Sequence, residues 1–357
     1  MIDTGKAVLV DPHRDLRWDR FVSGHPLGWL THLSGWARVL EQSFPQITGY
    51  HLALLDAEGE IRAVVPLFFV KSLLRGSRLV SVPMGTLCGP LTASLADVSL
   101  LMEAVQHLAT ELGASSAELR THGQQSSLPV ACWGRSDYYR QHFLQLQQGP
   151  DELRKKFHRS CVRQKIDRAA GSGLRLRIGN SESDLKVFYR LHVVMRKRKG
   201  LPLQPYAFFH GIWSTFHETG HLELLLVEDG DRIPAGLMLL KFGKRVSAEI
   251  LAHDESCPEK SPTHFLFWEA IRRACAEEYE LFDFGRTDPE NQPLMTFKKR
   301  WGATEELLPT FFYPESRMYS ESGALQSRVR RLASTLCRNA PESLQGFVGG
   351  LYYRHFL

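Results

Sequence analysis

At 357 residues, 43% of them apolar and 23% charged, the chain exceeds one hydrophobic core and predicts two domains plus an additional element, and its composition excludes a disordered or collagen-like protein. The net charge of +5 is small, but residues 151–200 hold fifteen Lys/Arg against five Asp/Glu, a local excess that predicts an anionic partner. The first residues carry Asp3, Lys6, Asp11 and Arg14 where a secretion signal needs an apolar block, and the longest apolar run, 61–70, contains Arg62 and Pro66. That run is about half the ~20 residues of a membrane span, so the expected location is cytoplasmic.

The first predicted helix covers 29–44, with Leu30, Leu33, Trp36 and Leu40 at helical spacing. A strand-turn-strand pattern follows, HLALLDAEGEIRAVVPLFF from His51, then a helix near 95–112, a strand near 117–120 and a closing strand over 138–146. Residues 150–170 place Leu153, Phe157, Cys161 or Val162, Ile166 and Ala169 on one stripe, predicting an amphipathic helix with a basic outer face. The glycines at 171 and 173 end it, and a strand over 174–178 alternates apolar with polar residues.

Two helices come next. One spans 183–199, with Leu185, Phe188, His192 and Met195 inward and Gly200 as its stop; the other, 206–218, aligns Phe209, Ile212, Trp213 and Phe216. Strands over 221–227, 233–242 and 246–252 are joined by EDGD and GK, turns that predict an antiparallel meander. A helix over 263–278, a strand over 281–284, a short helix near 294–300 and a last strand over 306–313 complete this region. HLELLLVEDGDRIPAGLMLL from His221 aligns with the segment from His51 with one inserted residue, which predicts a duplicated domain.

Residues 316–357 form a basic amphipathic tail: Leu325, Val329, Leu332 and Leu336 lie opposite Arg328, Arg330, Arg331 and Arg338, and LQGFVGGLYYRHFL follows Pro341. Docking on its own domain and peripheral contact with the cytosolic face of the inner membrane are both open for it. The cysteines at 88, 132, 161, 257, 275 and 337 show no CxxC or Cys/His spacing, so reduced thiols and no metal are expected.

The segment FDFGRTDPENQPLMTFKKRWGA, 282–303, gathers chemistry at a strand end. Asp283 alternates with Phe282 and Phe284 and so faces away from them; Arg286 offers a planar fork for an anion; Asn291 caps or binds; Lys298 follows one short helix later. A purely structural account pairs Asp283 with Arg286 and leaves Lys298 solvated.

This segment, together with ELRKKFHRSCVRQKIDRAAGSGLRLR, YRLHVVMRKRKGLP and VEDGDRIPAGLML, resembles the FemAB-like branch of the GNAT acyltransferase superfamily, its peptidoglycan-bridge and exopolysaccharide-associated members included. The likeness is clear over 151–315 and weaker over 1–150. It implies an α+β fold of two tandem GNAT-like domains, 1–150 and 151–315, each a largely antiparallel mixed sheet flanked by helices, with the helical tail 316–357 added. It also implies a transferase that passes an acyl or aminoacyl group to an amine of a cell-envelope precursor, either a peptidoglycan peptide or an amino sugar. The family's lysine, which serves the donor site and the developing oxyanion, falls on Lys298 of TFKKRWGA.

Catalytic candidates are therefore Lys298, Arg286 and, as the base that takes the amine's proton, Glu249. Asp283, Asn291, His253, Asp254, Trp301 and Arg198 are the substrate-binding candidates; His192 and His264 are expected to be core or surface residues. No permanently bound cofactor and no DNA partner are expected, and the donor is aminoacyl-tRNA or acyl-CoA. The turn HDESCPEKSPTHF lacks the glycines that wrap a pyrophosphate, which disfavours coenzyme A there, while the basic segment suits tRNA. A small-amine or sugar N-acetyltransferase and a non-catalytic scaffold of a polysaccharide assembly system are the alternative readings.

Overall fold

The computed structural model describes residues 6–72, 76–122, 132–316 and 334–356. Along the chain run β1 (Val8–Val10), α1 (Leu16–Gly24), α2 (Ser34–Ser43), β2 (Ile47–Gly49), β3 (His51–Leu55), β4 (Ile61–Val65), β5 (Phe68–Val70), β6 (Arg78–Val80), β7 (Leu91–Thr92), α3 (Leu95–Glu111) and β8 (Ser116–Arg120). Next come β9 (Gly134–Gln145), α4 (Gly149–Lys156), α5 (Gln164–Ala170), β10 (Arg175–Gly179), α6 (Glu182–Lys199), α7 (Tyr206–Phe216), β11 (Leu222–Asp229), β12 (Arg232–Phe242) and β13 (Arg245–His253). The last are α8 (Pro262–Ala276), β14 (Leu281–Thr287), α9 (Gln292–Arg300), β15 (Thr304–Tyr313) and α10 (Glu342–Phe356). Two compact units result: one of Met1–Tyr138, Leu307–Thr335 and Gly346–Leu357, the other of Tyr139–Glu306 and Leu336–Gln345.

In the first unit β1, β3, β4 and β7 form an antiparallel sheet, and a second sheet runs in the order β15, β8, β6, β5, β2, with β6 and β8 parallel. Helix α3 lays Val98, Leu101, Met102, Val105 and Leu108 onto Leu52, Leu54, Ala63 and Leu79, the centre of this unit's core. Pro66 lies between β4 and β5, and the two strands belong to different sheets; a proline cannot donate to a central ladder.

The single helix expected over 29–44 is instead a 3-10 turn, Leu30–His32, followed by α2. Leu33 is extended, and Asp19 of α1 accepts from the Ser34 backbone N–H at 2.8 Å and from its hydroxyl at 2.6 Å. A carboxylate on the first N–H of a helix fixes where that helix starts, and this one comes from a different element.

The second unit holds β10, β11, β12, β13, β14 and β9 in that order. The pairs from β10 to β13 are antiparallel, as the turns EDGD and GK predict; β13 and β14 are parallel; β14 and β9 are antiparallel. Its core packs α8 residues Leu266, Phe267, Ala270 and Ile271 against Leu225, Leu237, Val246 and Phe282. Helix α6 begins in a capping box between Ser181 and Asp184 and ends at Gly200 in the left-handed region. Its inward residues include Leu185, Phe188, His192 and Met195, as their spacing predicts. A Cβ on Gly236 of β12 would stand 2.7 Å from Phe188 Cδ2, so the bare glycine is what lets α6 approach the sheet.

The amphipathic helix expected over 150–170 is broken. After α4, Phe157 is extended and buried, its ring 5.1 Å from Trp301 and 5.7 Å from Trp268. His158 then donates its backbone N–H to Arg300 O at 2.8 Å, its ring caps Cys161 N at 3.2 Å, and one π-helical turn, Arg159–Arg163, leads into α5. Tertiary burial of one aromatic residue outweighs helix continuity here. In α7 Phe208 is buried where Trp213 was expected; Trp213 stacks on His217 at 3.8 Å. The tail helix expected around 325–336 lies mostly outside the described residues, and α10 carries the second apolar piece.

Candidate active site

Strands β13 and β14 pair in parallel only at Arg245–Leu281, Val246–Phe282 and Ser247–Asp283, although both continue beyond. Each carries a bulge just past the last pair. In β13 the register with β12 skips Glu249, since Met238 opposes Ile250 and Leu239 opposes Ala248. In β14 the register with β9 shifts between Asp283 and Arg286, around Gly285 at φ +78°. Bulges re-aim side chains and interrupt the ladder, and the carboxyl ends of parallel strands are where mixed sheets hold ligands. The strand expected over 281–284 therefore runs on to Thr287, because glycine tolerates the left-handed backbone that the bulge requires.

Alternation sorts the side chains. Val246 and Phe282 are buried in the core, whereas Arg245, Ser247 and Glu249 take the opposite face of β13. Asp283, 1% exposed, shares that face: its carboxylate accepts from the Arg245 guanidinium, from Gln141 Nε2 at 3.0 Å and from Gly285 N at 2.8 Å. Burial by itself would raise this carboxyl, but the Arg245 charge and these bonds outweigh it and hold the group below its usual range. The guanidinium bonded to Asp283 is thus that of Arg245, not the Arg286 of the structural expectation; the Arg286 guanidinium lies 4.3 Å from the Tyr139 ring centroid.

Glu249 is half-buried and receives the Ser247 hydroxyl at 3.2 Å. Burial, then the neighbouring Asp283 charge, push its carboxyl above the ordinary range, against the Ser247 bond and the charges of Arg245 and Arg286. A carboxyl raised in this way holds a proton more readily than an ordinary one, as a general base requires.

Lys298 is 3% exposed, not solvated. Its Nζ donates to Gly285 O at 2.7 Å and Thr287 Oγ1 at 2.7 Å, with Arg286 O at 3.5 Å. Burial lowers its pKa to about 8, against the attraction of Asp283 and Glu249. The ammonium grips the β14 bulge from behind. Thr287 Oγ1 lies 3.4 Å from Nδ1 of His142, a fully buried residue of β9 whose pKa burial lowers to about 4.

The remaining candidates separate from this group. Asn291 caps α9, its Oδ1 accepting from Leu294 N at 3.3 Å. Trp301, expected to bind substrate, is fully enclosed by Phe157, Phe267, Phe284 and Phe297, with His264 stacked at 6.0 Å; an indole of that size pays best as core. His264, half-buried, is itself held neutral by burial, its pKa about 4, and the buried His192 likewise at about 3.

His253, Asp254 and Arg198 form a second cluster at the end of β13, about 13 Å from Glu249 at strand rise. There His253 Nδ1 lies 3.2 Å from Asp254 O, Asp254 holds the Ser256 turn, and Arg198 pairs with Glu255 at 3.4 Å. Burial and then the charges of Lys199 and Arg198 lower His253. Arg245, Gln141, Thr287 and His142 escaped the sequence reading. The alternation Arg245, Ser247, Glu249 was a usable signal; Gln141 and His142, on a distant strand, gave none.

A family model described as "Acetyltransferase (GNAT) domain" matches residues 156–299. No curated protein matches the chain. Among solved structures, FemX is similar at 16% identity with a TM-score of 0.70, covering 89% of this chain and 99% of that one. L-PGS from Bacillus licheniformis is similar at 14% identity and TM-score 0.58, covering 91% and 97%. A tandem GNAT protein from the clavulanic acid biosynthesis pathway is similar at 10% identity and TM-score 0.50, covering 86% and 97%. At these identities the likenesses establish the fold, two GNAT-like domains in tandem.

Proposed function

We propose that this GNAT-superfamily acyltransferase of FemAB-like fold forms an amide bond on an amine of a cell-envelope precursor, taking the acyl group from aminoacyl-tRNA. The observation that carries the reading is the end of the β13–β14 ladder beside the Glu249 carboxyl and a buried cation, Lys298. An activated ester bound at that ladder end meets the amine there. Glu249 takes the amine's proton as the C–N bond forms and the carbonyl oxygen gains charge; when the tetrahedral state collapses, the ester C–O bond breaks and Glu249 returns the proton to the departing oxygen, so the tRNA leaves as its hydroxyl.

Lys298 acts in this scheme as a positioning residue. Its hydrogens are engaged by Gly285 and Thr287, so it sets the bulge that borders the oxyanion and adds positive potential behind it. Arg286, on that bulge, is proposed to meet the acyl or acceptor group, and Asp283 to fix the site through Arg245.

The tRNA donor is supported by the basic face. Arg196, Lys197, Arg198 and Lys199 fill the last turn of α6, and His253 lies close enough to feel Arg198 and Lys199. The turn after β13 contains no glycine, and α8 opens with Pro262, whose ring nitrogen has no hydrogen to offer a pyrophosphate. The acceptor is proposed to be a peptidoglycan peptide amine or an amino sugar.

Labelled aminoacyl-tRNA and labelled acyl-CoA, each incubated with the protein and an amine acceptor, test the donor through the mass of the amide product. We expect transfer from the tRNA, and tRNA association that weakens by an order of magnitude or more from low to physiological salt. Transfer from acyl-CoA alone, with salt-insensitive tRNA association, would replace the donor and keep the site.

A further inference from the structure

The outer face of α10 has no function in acyl transfer. Phe347 is 72% exposed and Leu351 52% exposed, one turn apart, and Leu344 continues the stripe one turn earlier on the same helix. Gly346 and Gly350 lie between them, and a Cβ built on either would meet nothing within 4 Å. The face is therefore open, low and apolar.

The helix is not loosely attached. The Tyr353 carbonyl accepts from Gln46 Nε2 at 3.0 Å, the His355 carbonyl accepts from Ser72 Oγ at 2.7 Å, and the Tyr353 ring lies 6.3 Å from that of Phe44. Those contacts hold one side of α10 and leave Phe347 and Leu351 on the other. Arg354 is exposed in the last turn, and Lys71, next to the Ser72 that anchors the helix end, is exposed as well.

We infer that this stripe seats the protein on an anionic lipid surface: Phe347 and Leu351 enter the acyl boundary while Arg354 and Lys71 meet the phosphates. A second copy is the competing occupant, and the area decides against it. Phe347, Leu351 and Leu344 together offer on the order of 300 Å², well under the about 800 Å² per partner that a stable protein pair buries. A lipid surface asks for less, since a few apolar side chains plus nearby cations give weak, reversible attachment. The inference goes beyond the catalytic reading and stands whichever donor is used.

Flotation of the full chain with vesicles of equal parts phosphatidylglycerol and phosphatidylcholine, against phosphatidylcholine alone, tests it. The native protein should float with the anionic vesicles and hardly with the neutral ones. The double variant Phe347→Gln/Leu351→Gln should lose that binding about tenfold or more, and Arg354→Gln a few-fold, most visibly at low salt. Because these side chains are exposed, circular dichroism melts of the variants should match the native curve. Three results overturn the inference: no flotation of the native protein, equal flotation with both vesicles, or undiminished flotation of the double variant. A dimer by light scattering that the double variant abolishes would assign the stripe to a second copy instead.

Discussion

The two units share a parallel strand pair built the same way and finished differently. In the second, Arg245 opens the β13–β14 ladder and Asp283 closes it; in the first, Arg78 opens the β6–β8 ladder and Glu118 closes it. Both carboxylates are buried against arginine: Asp283 against Arg245, and Glu118 against Arg120 at 2.7 Å with Arg78 at 3.8 Å. Past the last pair they diverge. In the first unit Ser81 N still bonds Glu118 O at 2.9 Å, the Ser81 hydroxyl takes Arg120 N at 3.0 Å, and the Arg120 guanidinium fastens the carbonyls of Val82 and Gly85 at 2.9 Å each. The position four residues after the arginine is Val82 there and Glu249 in the second unit. One copy is laced shut around an arginine; the other has two bulges and a carboxyl at the same place. The two ladders share a frame, and the residues just past it differ.

The sharpest way to break this comparison is to neutralise the two carboxyls separately. Glu249→Gln should lower turnover about 10²–10⁴-fold, the usual worth of a general base, with little change in melting temperature. Glu118→Gln should do the reverse, costing about 3–5 kcal/mol by taking the carboxylate charge from beside Arg78 and Arg120 while turnover per folded molecule stays within about threefold. Steady-state kinetics beside thermal melts check both. Equal turnover losses at the two positions would dissolve the distinction between the units.

Titration sharpens it next. If the ammonium of Lys298 supports transfer, activity falls as pH rises through about 8, on top of a rise at lower pH through the elevated Glu249 carboxyl. The stability sign is opposite: the unfolded lysine, near 10.5, binds more protons than the folded one between those values, so this group's contribution to stability grows as pH rises from about 8 to 10.5. Lys298→Met should remove the alkaline limb seen in the pH–rate profile and lower turnover at least tenfold. It should also cost about 1–3 kcal/mol by leaving the Gly285 and Thr287 oxygens unpaired. A profile that keeps its alkaline limb would take Lys298 out of the reaction.

The smallest effect belongs to Asn291. Its replacement by Ala should cost about 1 kcal/mol as a lost helix cap, measured by urea unfolding, and leave turnover unchanged. A selective rise in KM would return it to substrate binding.

Periodicity alone determined the order of elements from β10 to β15, the meander, the inward face of α6 and the placing of Asp283 opposite Phe282 and Phe284, because those features follow from spacings of 2 and 3.6 residues along the chain. The likeness of the segments from His51 and His221 was legible for the same reason, being local. What tertiary structure decided was everything that depends on a distant partner. Asp19 set the start of α2, Phe157 broke the basic helix by entering a core around Trp301, and Gln141 with Arg245 claimed Asp283. The family likeness marked Lys298 as catalytic, while the purely structural account left it solvated, its neighbours in sequence being Lys299 and Arg300. Its burial follows from the bulge at Gly285, whose carbonyl turns toward the ammonium, and a hydrogen bond across thirteen positions leaves no periodic trace.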